Sequence, residues 1–403
     1  MPDSAQPAAA GKGTRNAVLA GFLGWTFDAF DFFVLTFALE HIGREFGKTH
    51  ADMALTIAAT LATRWIGAIL FGLLADRCGR RIPLIVNILY YSLIEVLSGL
   101  APNYRVFFFL RLLYGIGMGG EWGVGASLTM ESIAPKWRGL VSGFLQEGYA
   151  LGYLLAAVAY GFIYPHWGWR PLFFAGGFPA LLTLFVRAKV KEPEAWHRSR
   201  TDWPAYRKAL FGNWKRFAYL VLLMAMVNFI SHGTQDMYPT YLQSQHSFAP
   251  ERTSYITAFA MVGAICGGLA FGYFSDHKGR RRAMVTALLL GCLLIPMWVF
   301  APNLALILAG GFLMQFMVQG AWGVIPAHIN ELSPDALRGF FPGLAYQVGV
   351  LIASGSAYFE ALMAHSMSYG RAMGLFALIV LVVGAVVVWL GPEEHRVEFG
   401  RGG

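Results

Sequence analysis

Charge is scarce in this sequence. Only 13% of its residues are Asp, Glu, Lys or Arg, against 56% apolar, and its mean hydropathy is +0.51. A soluble domain carries about a quarter charged residues, so the shortage excludes an ordinary water-soluble fold. Cysteine is scarce too: Cys78 is predicted in a loop and Cys266 and Cys292 in helices, which leaves no disulfide framework. Cys/His spacing for a metal, a G-x-S-x-G turn, a phosphate-cradling loop and a nucleophile-and-base constellation are all missing. Neither an enzyme nor a cofactor or metal site is expected. The opening residues, Met1 to Lys12, are Ala-rich and polar and lack the apolar core of a signal peptide. The first apolar run is therefore expected to stay as a helix.

Apolar runs fill the chain instead. Twelve stretches of about 20 residues, each long enough to cross a ~30 Å hydrocarbon core as a helix, recur from residue 16 to residue 390. Positive charge is spread unevenly between them. With the N-terminus on the cytoplasmic side, 23 of the 31 Lys and Arg fall on that side, nine of them between Arg187 and Arg216. Only Arg44, Lys48, Arg105, Arg170, Arg252 and Arg371 fall in the opposite loops, while Arg64 and Arg111 lie inside helices. This is the positive-inside asymmetry. It accounts for the net charge of +8 without nucleic acid, and it predicts a multi-pass protein of the cell inner (plasma) membrane with both termini cytoplasmic.

The sequence also repeats itself. Gly72-Leu-Leu-Ala-Asp76-Arg77-Cys78-Gly79-Arg80-Arg81 returns 200 residues later as Gly272-Tyr-Phe-Ser-Asp276-His277-Lys278-Gly279-Arg280-Arg281. Ala101-Pro102-Asn103, Trp122-Gly123-Val124, Glu131 and Arg138-Gly139 recur at the same offset. Residues 1–187 and 217–403 are thus expected to be two parallel six-helix halves, joined by a charged cytoplasmic linker over 188–216. The fold class is an all-α membrane protein of twelve transmembrane helices.

The duplicated G-x-x-x-D-R-x-G-R-R resembles the loop motif of the major facilitator superfamily, and the resemblance covers essentially the whole chain. It implies the major facilitator fold, secondary transport by alternating access, and function as a monomer. Gly72, Asp76, Arg77, Gly79 and Arg80, with Gly272, Asp276, Gly279 and Arg280, are expected to form a conformational latch. In it Asp76 faces the N-terminus of a neighbouring helix while the arginines hold the cytoplasmic interface. Arg81 and Arg282 can also be read as obeying the charge asymmetry alone. His277 stands where a basic residue is usual, which weakens the expectation for the second copy.

Ionisable residues inside spans are the candidate functional groups, because each is costly in hydrocarbon. Asp28 and Asp31 lie three apart on the first helix; buried together they suit a proton carrier, or else a structural pair neutralised by a neighbouring cation. Arg64, ~18 Å along the helix from Asp76, either binds a substrate carboxylate or pairs with Asp28 or Asp31. Arg111 and Glu121 flank Gly115, Gly117, Gly119 and Gly120 in a segment resembling the superfamily's R-x-x-x-G-x-G, where the glycines read as close packing. Gln146 and Glu147 lie deep in the fifth helix, and Tyr346 and Gln347 in the eleventh. The change from Glu147 to its repeat mate Gln347 suggests that charge is concentrated in the N-terminal half. Gln315 and Gln319 can bond a substrate or hold helices together, and Glu95, His328 and Glu360 stand too isolated for a role.

The seventh helix carries the densest polar row. Asn228, Ser231, His232, Gln235 and Asp236 share one helical face, which predicts a cavity lining. Asn228 and Gln235 supply amides, His232 switches charge near neutral pH, and Asp236 can hold the imidazole tautomer or take the proton. Asn228-x-x-Ser231-His232-x-Thr234-Gln235-Asp236-x-x-x-Thr240 resembles the signature of the Jen-type lactate and pyruvate permeases, which group with the sialate:proton symporters. Phe27-Asp28-Ala29-Phe30-Asp31 and the segment from Ala62 to Gly67 look similar as well. The resemblance implies proton-coupled symport of a short monocarboxylate such as lactate or pyruvate. Arg64, Asn228, His232, Gln235, Gln146 and Tyr346 are the expected substrate ligands, and Asp28, Asp31, Asp236, Glu147, Arg111 and Glu121 the expected proton-coupling groups. Sialic acid and aromatic acids are alternative substrates, and a transport-dead sensor on the same fold stays open. The implied partners are a small organic acid, protons and the lipid bilayer.

Overall fold

The computed structural model describes residues 12–199, 202–364 and 366–400; Arg200, Arg401 and the tail ahead of Lys12 lie outside them. Among the described residues every regular element is helical. Ten spans are long and apolar enough to cross a membrane: Lys12–Glu45, Leu55–Cys78, Arg81–Gly99, Pro135–Trp167, Arg170–Lys189, Trp214–His246, Arg252–Lys278, Arg280–Val299, Leu304–Leu332 and Tyr369–Leu390. Two more complete the twelve. The fourth, Tyr104–Ser132, dilutes its apolar character with Arg105, Arg111, Glu121 and Glu131. The eleventh is divided into Phe341–Ala353 and Ser356–Ala364. Large apolar side chains such as Val158, Phe162, Leu293 and Leu390 stand exposed, the reverse of a water-soluble surface and the arrangement a lipid solvent favours.

The 200-residue repeat recurs as matched local structure. Asn103 and Asn303 cap the fourth and tenth spans, accepting the amides of Val106 at 3.1 Å and Leu306 at 3.0 Å. Gly79 (φ +96°, ψ 170°) and Gly279 (φ +93°, ψ 157°) make the turns after the second and eighth spans. That backbone region is essentially open to glycine alone. In both halves a carboxylate packs beside this turn, Glu192 at Gly79 and Glu393 at Gly279. Glu192 accepts the backbone amides of Arg80 and Arg81, and Glu393 that of Arg281.

Five of the spans predicted as continuous are broken within the bundle. The second divides into His50–Ala62 and Arg64–Cys78, the fifth into Arg138–Gln146 and Gly148–Trp167, and the seventh into Trp214–Gln235 and Tyr238–His246. The sixth divides into Arg170–Ala175 and Pro179–Lys189, and the eleventh breaks at Ser354-Gly355. The causes are local. Thr63 spends its hydroxyl on the carbonyls of Thr60 and Leu112, at 3.2 and 2.8 Å, in competition with the helix ladder. Pro239 cannot donate to a preceding turn and disfavours helix at the residue before it. Three of the breaks place a charged residue, Arg64, Glu147 or Asp236, at a helix end.

Residues 12–16, the end of the sixth span and residues 391–400 lie at one end of the bundle, called here the basic end. The halves pack together there. Arg138–Gln146 lies against the eighth and tenth spans, and Phe341–Ala353 against Arg64–Cys78 and the fourth span. Beyond the breaks, His50–Ala62, Gly148–Trp167, Tyr238–His246 and Ser356–Ala364 pack within their own halves. The strongest contacts between the halves are thus those at the basic end.

Candidate substrate and proton site

The N-terminal half buries an acid-rich cluster. Asp28, Asp31, Glu95, Glu121 and Arg111 are fully buried and Arg64 nearly so. Arg111 does not face the space between the halves. It pairs with Glu95 at 2.8 Å, donates to Ser98, and is boxed by the rings of Tyr114, Phe173 and Phe107 at 4.6, 5.3 and 5.6 Å. Glu95, which in sequence has no visible partner, is thus the counter-ion of Arg111. Comparable distance from the turn at Ala101 to Asn103 was the available signal: Glu95 lies ~9 Å and Arg111 ~12 Å from it along antiparallel helices. Asp31 lies beside this pair, where Gly176 of the sixth span allows the approach of Asp31 and Glu95. Glu121 rests on Gly24 of the first span and accepts from Asn87 at 3.3 Å.

Arg64 begins its helix at the Thr63 break. Its own carbonyl packs on Gly119, its guanidinium lies 5.6 Å from the centre of the Tyr346 ring, and it is within electrostatic reach of Asp28. Its Nε and Nη2, and both carboxylate oxygens of Asp28 and Asp31, have no hydrogen-bond partner among the described residues. Tyr346 is held between Trp122 and Trp322, repeat mates, at 4.7 and 5.9 Å. Gln146 accepts from the Trp122 indole at 3.4 Å. Glu147, at the fifth-span break, packs on Gly268 of the other half and away from the acid cluster.

The polar row of the seventh span divides. His232 Nδ1 lies 3.1 Å from Asp236 Oδ2, and both side chains are 40% exposed. Gln235 donates to Gln315 at 2.8 Å, and Gln315 in turn to the carbonyl of Thr234 at 3.2 Å. Asn228 is buried and donates to the carbonyl of Met224 in its own helix at 2.7 Å. His232 and Asp236 therefore face water while Gln235 and Asn228 are engaged within the half.

Sequence reasoning missed Tyr149. It follows the Glu147 break, stacks on Trp25 at 5.6 Å, and lies within electrostatic reach of Tyr346, Arg64, Asp236 and Asp28. From it a row of rings follows the first and fifth spans: Tyr149 to Phe33 at 5.2 Å, Phe33 to Tyr153 at 4.8 Å, Tyr153 to Phe37 at 5.4 Å, and Phe37 to Tyr160 at 5.6 Å.

At the basic end the two loop motifs reach across the halves. Asp76 accepts the amides of Gly339 at 2.7 Å and Phe340 at 3.2 Å, with Arg80 at 2.7 Å; Tyr206 of the linker donates to it at 3.2 Å. Asp276 accepts the amides of Gly139 at 2.8 Å and Leu140 at 2.9 Å, with Arg280 at 2.8 Å. Gly72 and Gly272 are the positions where these backbones meet, Gly72 against Gly339-Phe340 and Gly272 against Gly139. Arg80 and Arg280 continue to Glu131 and Glu331 at 2.7 and 2.8 Å. Arg77 lies over Trp203 of the linker, 5.2 Å from the ring centre, and His277 bonds its own turn at the Tyr273 carbonyl. The second copy holds its aspartate as closely as the first.

The repeat separates scaffold from site. At the 200-residue offset the scaffold residues match, whereas Asp28, Asp31, Arg64, Arg111 and Glu121 are replaced by Asn228, Ser231, Ala264, Gly311 and Ala321. The C-terminal half forms the same helices with neutral residues at those places, so the shared architecture does not itself dictate the charges.

Known proteins with similar sequences or folds agree with this architecture. A carboxylic acid transporter protein homolog of Saccharomyces cerevisiae is 27% identical over 94% of this chain and 68% of its own. A probable 4-methylmuconolactone transporter of Cupriavidus pinatubonensis is 31% identical over 95% of this chain and 91% of its own. The solved structure of the proton:xylose symporter XylE, bound to 6-bromo-6-deoxy-D-glucose, superposes with a TM-score of 0.76 at 18% identity, covering 97% of this chain and 98% of that one. The family model "Sugar (and other) transporter" matches residues 217–396. Residues 21–250 match the model of the Major Facilitator Superfamily, more than half of the sequence, and the chain belongs to that family of membrane transporters.

Proposed function

We propose that this transporter is a proton-coupled symporter of small carboxylic acids, working as a monomer in the inner membrane with both termini cytoplasmic. The observation that carries the reading is an imbalance of buried charge. Once Arg111 is matched with Glu95, Arg64, beside Asp28, is the remaining guanidinium of a cluster that holds three further buried carboxyls, Asp28, Asp31 and Glu121. Full ionisation would leave uncompensated charge in a low-dielectric interior, so the cluster is stable only with protons on it. An incoming carboxylate competes with Asp28 for Arg64, whose planar fork suits bidentate binding. Protonation of the aspartates frees the arginine for the acid, which ties the two cargoes together. Tyr346 and Tyr149 are placed to orient the acid, and the exposed His232–Asp236 pair supplies the opposite wall. The latch residues at the basic end are assigned to holding that end shut while the site faces outward.

Lactate and pyruvate are the first candidates on the resemblance of the seventh span. A second reading is favoured by the row of rings on the first and fifth spans, which offers apolar faces to a planar or aromatic acid. Sialic acid, with many hydroxyls, fits that wall less well. In proteoliposomes, lactate uptake is expected to rise with an inward proton gradient and to be abolished by Arg64→Ala and by His232→Ala with the protein still inserted. Uptake indifferent to the gradient would overturn symport, and uptake indifferent to both substitutions would overturn the site. Competition by lactate, pyruvate, acetate, benzoate and sialic acid ranks the substrates, and uptake of none of them leaves the sensor reading.

A further inference from the structure

The C-terminal half holds one buried carboxyl that none of the roles above uses. Glu360 lies on Ser356–Ala364, the outer piece of the broken eleventh span, and is 1% exposed. Neither of its carboxylate oxygens has a hydrogen-bond partner among the described residues. It reaches the seventh span where that helix has no side chain: a Cβ on Gly233 would lie 3.2 Å from Glu360 Oε1. Asp236 stands three residues further along the seventh helix, about one turn beyond Gly233, and is paired with His232. The twelfth span, also packed on this piece, buries Ala372, Met373, Phe376 and Ala377 without a titratable group. The repeat does not impose an acid here, since the position 200 residues earlier is Tyr160. A carboxyl buried with neither a cation nor a donor is stable only as the neutral acid.

We propose that Glu360 is a second proton-binding site, resting on the symport reading above, which adds one proton to the transport cycle beyond those held near Asp28 and Asp31. In the exchange the Glu360 O–H bond breaks and the proton moves to the Asp236 carboxylate, leaving Glu360 ionised and Asp236 neutral. Asp236 then passes it to His232 Nδ1 or to water, since that pair is half exposed while Glu360 is not. Gly233 is the positioning residue that lets Glu360 approach the helix carrying the relay.

Infrared difference spectra of the full chain in lipid, titrated between acid and alkaline pH, test the binding site without any substrate. The wild type is expected to show a protonated-carboxyl band that titrates, is missing in Glu360→Gln, and moves in Asp236→Asn. A band that never titrates, or a spectrum unchanged in Glu360→Gln, overturns the proposal. With lactate and a trapped pH dye, Glu360→Gln is expected to carry one proton fewer per acid. Its steady-state accumulation then falls about tenfold per pH unit of gradient, with lactate exchange retained. An unchanged proton-to-lactate ratio, or loss of exchange from inserted protein, overturns the role of Glu360 alone. Wild-type uptake that moves no protons overturns the symport reading instead, and the infrared titration still decides whether Glu360 binds a proton.

Discussion

At the scale of single residues, the decisive distinction is between charges that are matched and charges that are not. Arg111 and Glu95 are both fully buried, in contact at 2.8 Å, and enclosed by Phe107, Tyr114 and Phe173. Removing one partner strands the other, and breaking such a pair costs about 3–5 kcal/mol. Glu95→Gln is therefore expected to lower the melting temperature of the detergent-solubilised protein more than Glu95→Gln/Arg111→Gln together. Equal losses in the single and double variants would show that the pair is not the source of the stability. Arg64 differs in kind: two of its nitrogens have no hydrogen-bond partner among the described residues, so its loss should cost transport before it costs folding. The sequence alone could not draw this line. Asp28, Asp31, Arg64, Arg111 and Glu121 were all visible as charges in apolar helices, but which cation met which carboxyl depends on the register between helices.

At the scale of elements, helix approach is set by small residues and helix direction by breaks. Gly119 lies under the Arg64 carbonyl and Gly115 under that of Thr60, so the fourth span meets the second backbone to backbone on either side of the Thr63 break. Gly67 on Ile116 and Gly267 on Phe316 repeat the contact in the two halves. A methyl group on Gly119 has no room, and overpacking of this kind costs about 1–3 kcal/mol. Gly119→Ala is expected to lower the melting temperature and to weaken acid binding by displacing Arg64. Gly161→Ala, where a Cβ meets nothing within 4 Å, should be neutral or slightly stabilising, by up to ~1 kcal/mol from helix propensity. Matching behaviour of the two variants would remove the packing argument. The twelve spans, the halves and the recurrence of Ala101-Pro102-Asn103 at Ala301-Pro302-Asn303 were legible because hydropathy and the 200-residue repeat report them directly, whereas the caps that Asn103 and Asn303 make were not read from it. The breaks at Thr63, Glu147 and Asp236 were not, because apolar periodicity runs through each of them and the competing hydrogen bonds are only local. That is why the polar row of the seventh span, continuous in sequence, separates into a water-facing pair and two engaged amides.

At the scale of the whole molecule, the two halves are held together at the basic end by paired contacts of opposite polarity. Asp76 caps the start of the eleventh span from the N-terminal half, and Asp276 caps the fifth from the C-terminal half. The segment after the twelfth span adds a strap across both. Arg396 donates to the carbonyl of Asp276 at 2.8 Å, and the carbonyl of Val397 accepts from Arg138 at 2.5 Å. The buried ring of Phe399 lies between Arg138 and Arg338, with the guanidinium carbons 3.4 and 3.7 Å from its centre. Those two arginines are repeat mates from opposite halves, so the ring joins the halves at the point where they must part for the site to face the other way. Desolvated cation–π contacts contribute about 2 kcal/mol, enough to shift a two-state equilibrium more than tenfold. Phe399→Ala is therefore expected to move the population towards a state open at the basic end, as is Asp276→Asn. Spin labels at Lys136 and Lys278, both exposed, report it once Cys78, Cys266 and Cys292 are replaced by serine. A longer distance population should grow in both variants while the fold and melting cooperativity are kept. A distance distribution unchanged in Phe399→Ala would reduce the strap to simple packing, and one unchanged in Asp276→Asn would leave the closure of the basic end to the apolar contacts between the halves.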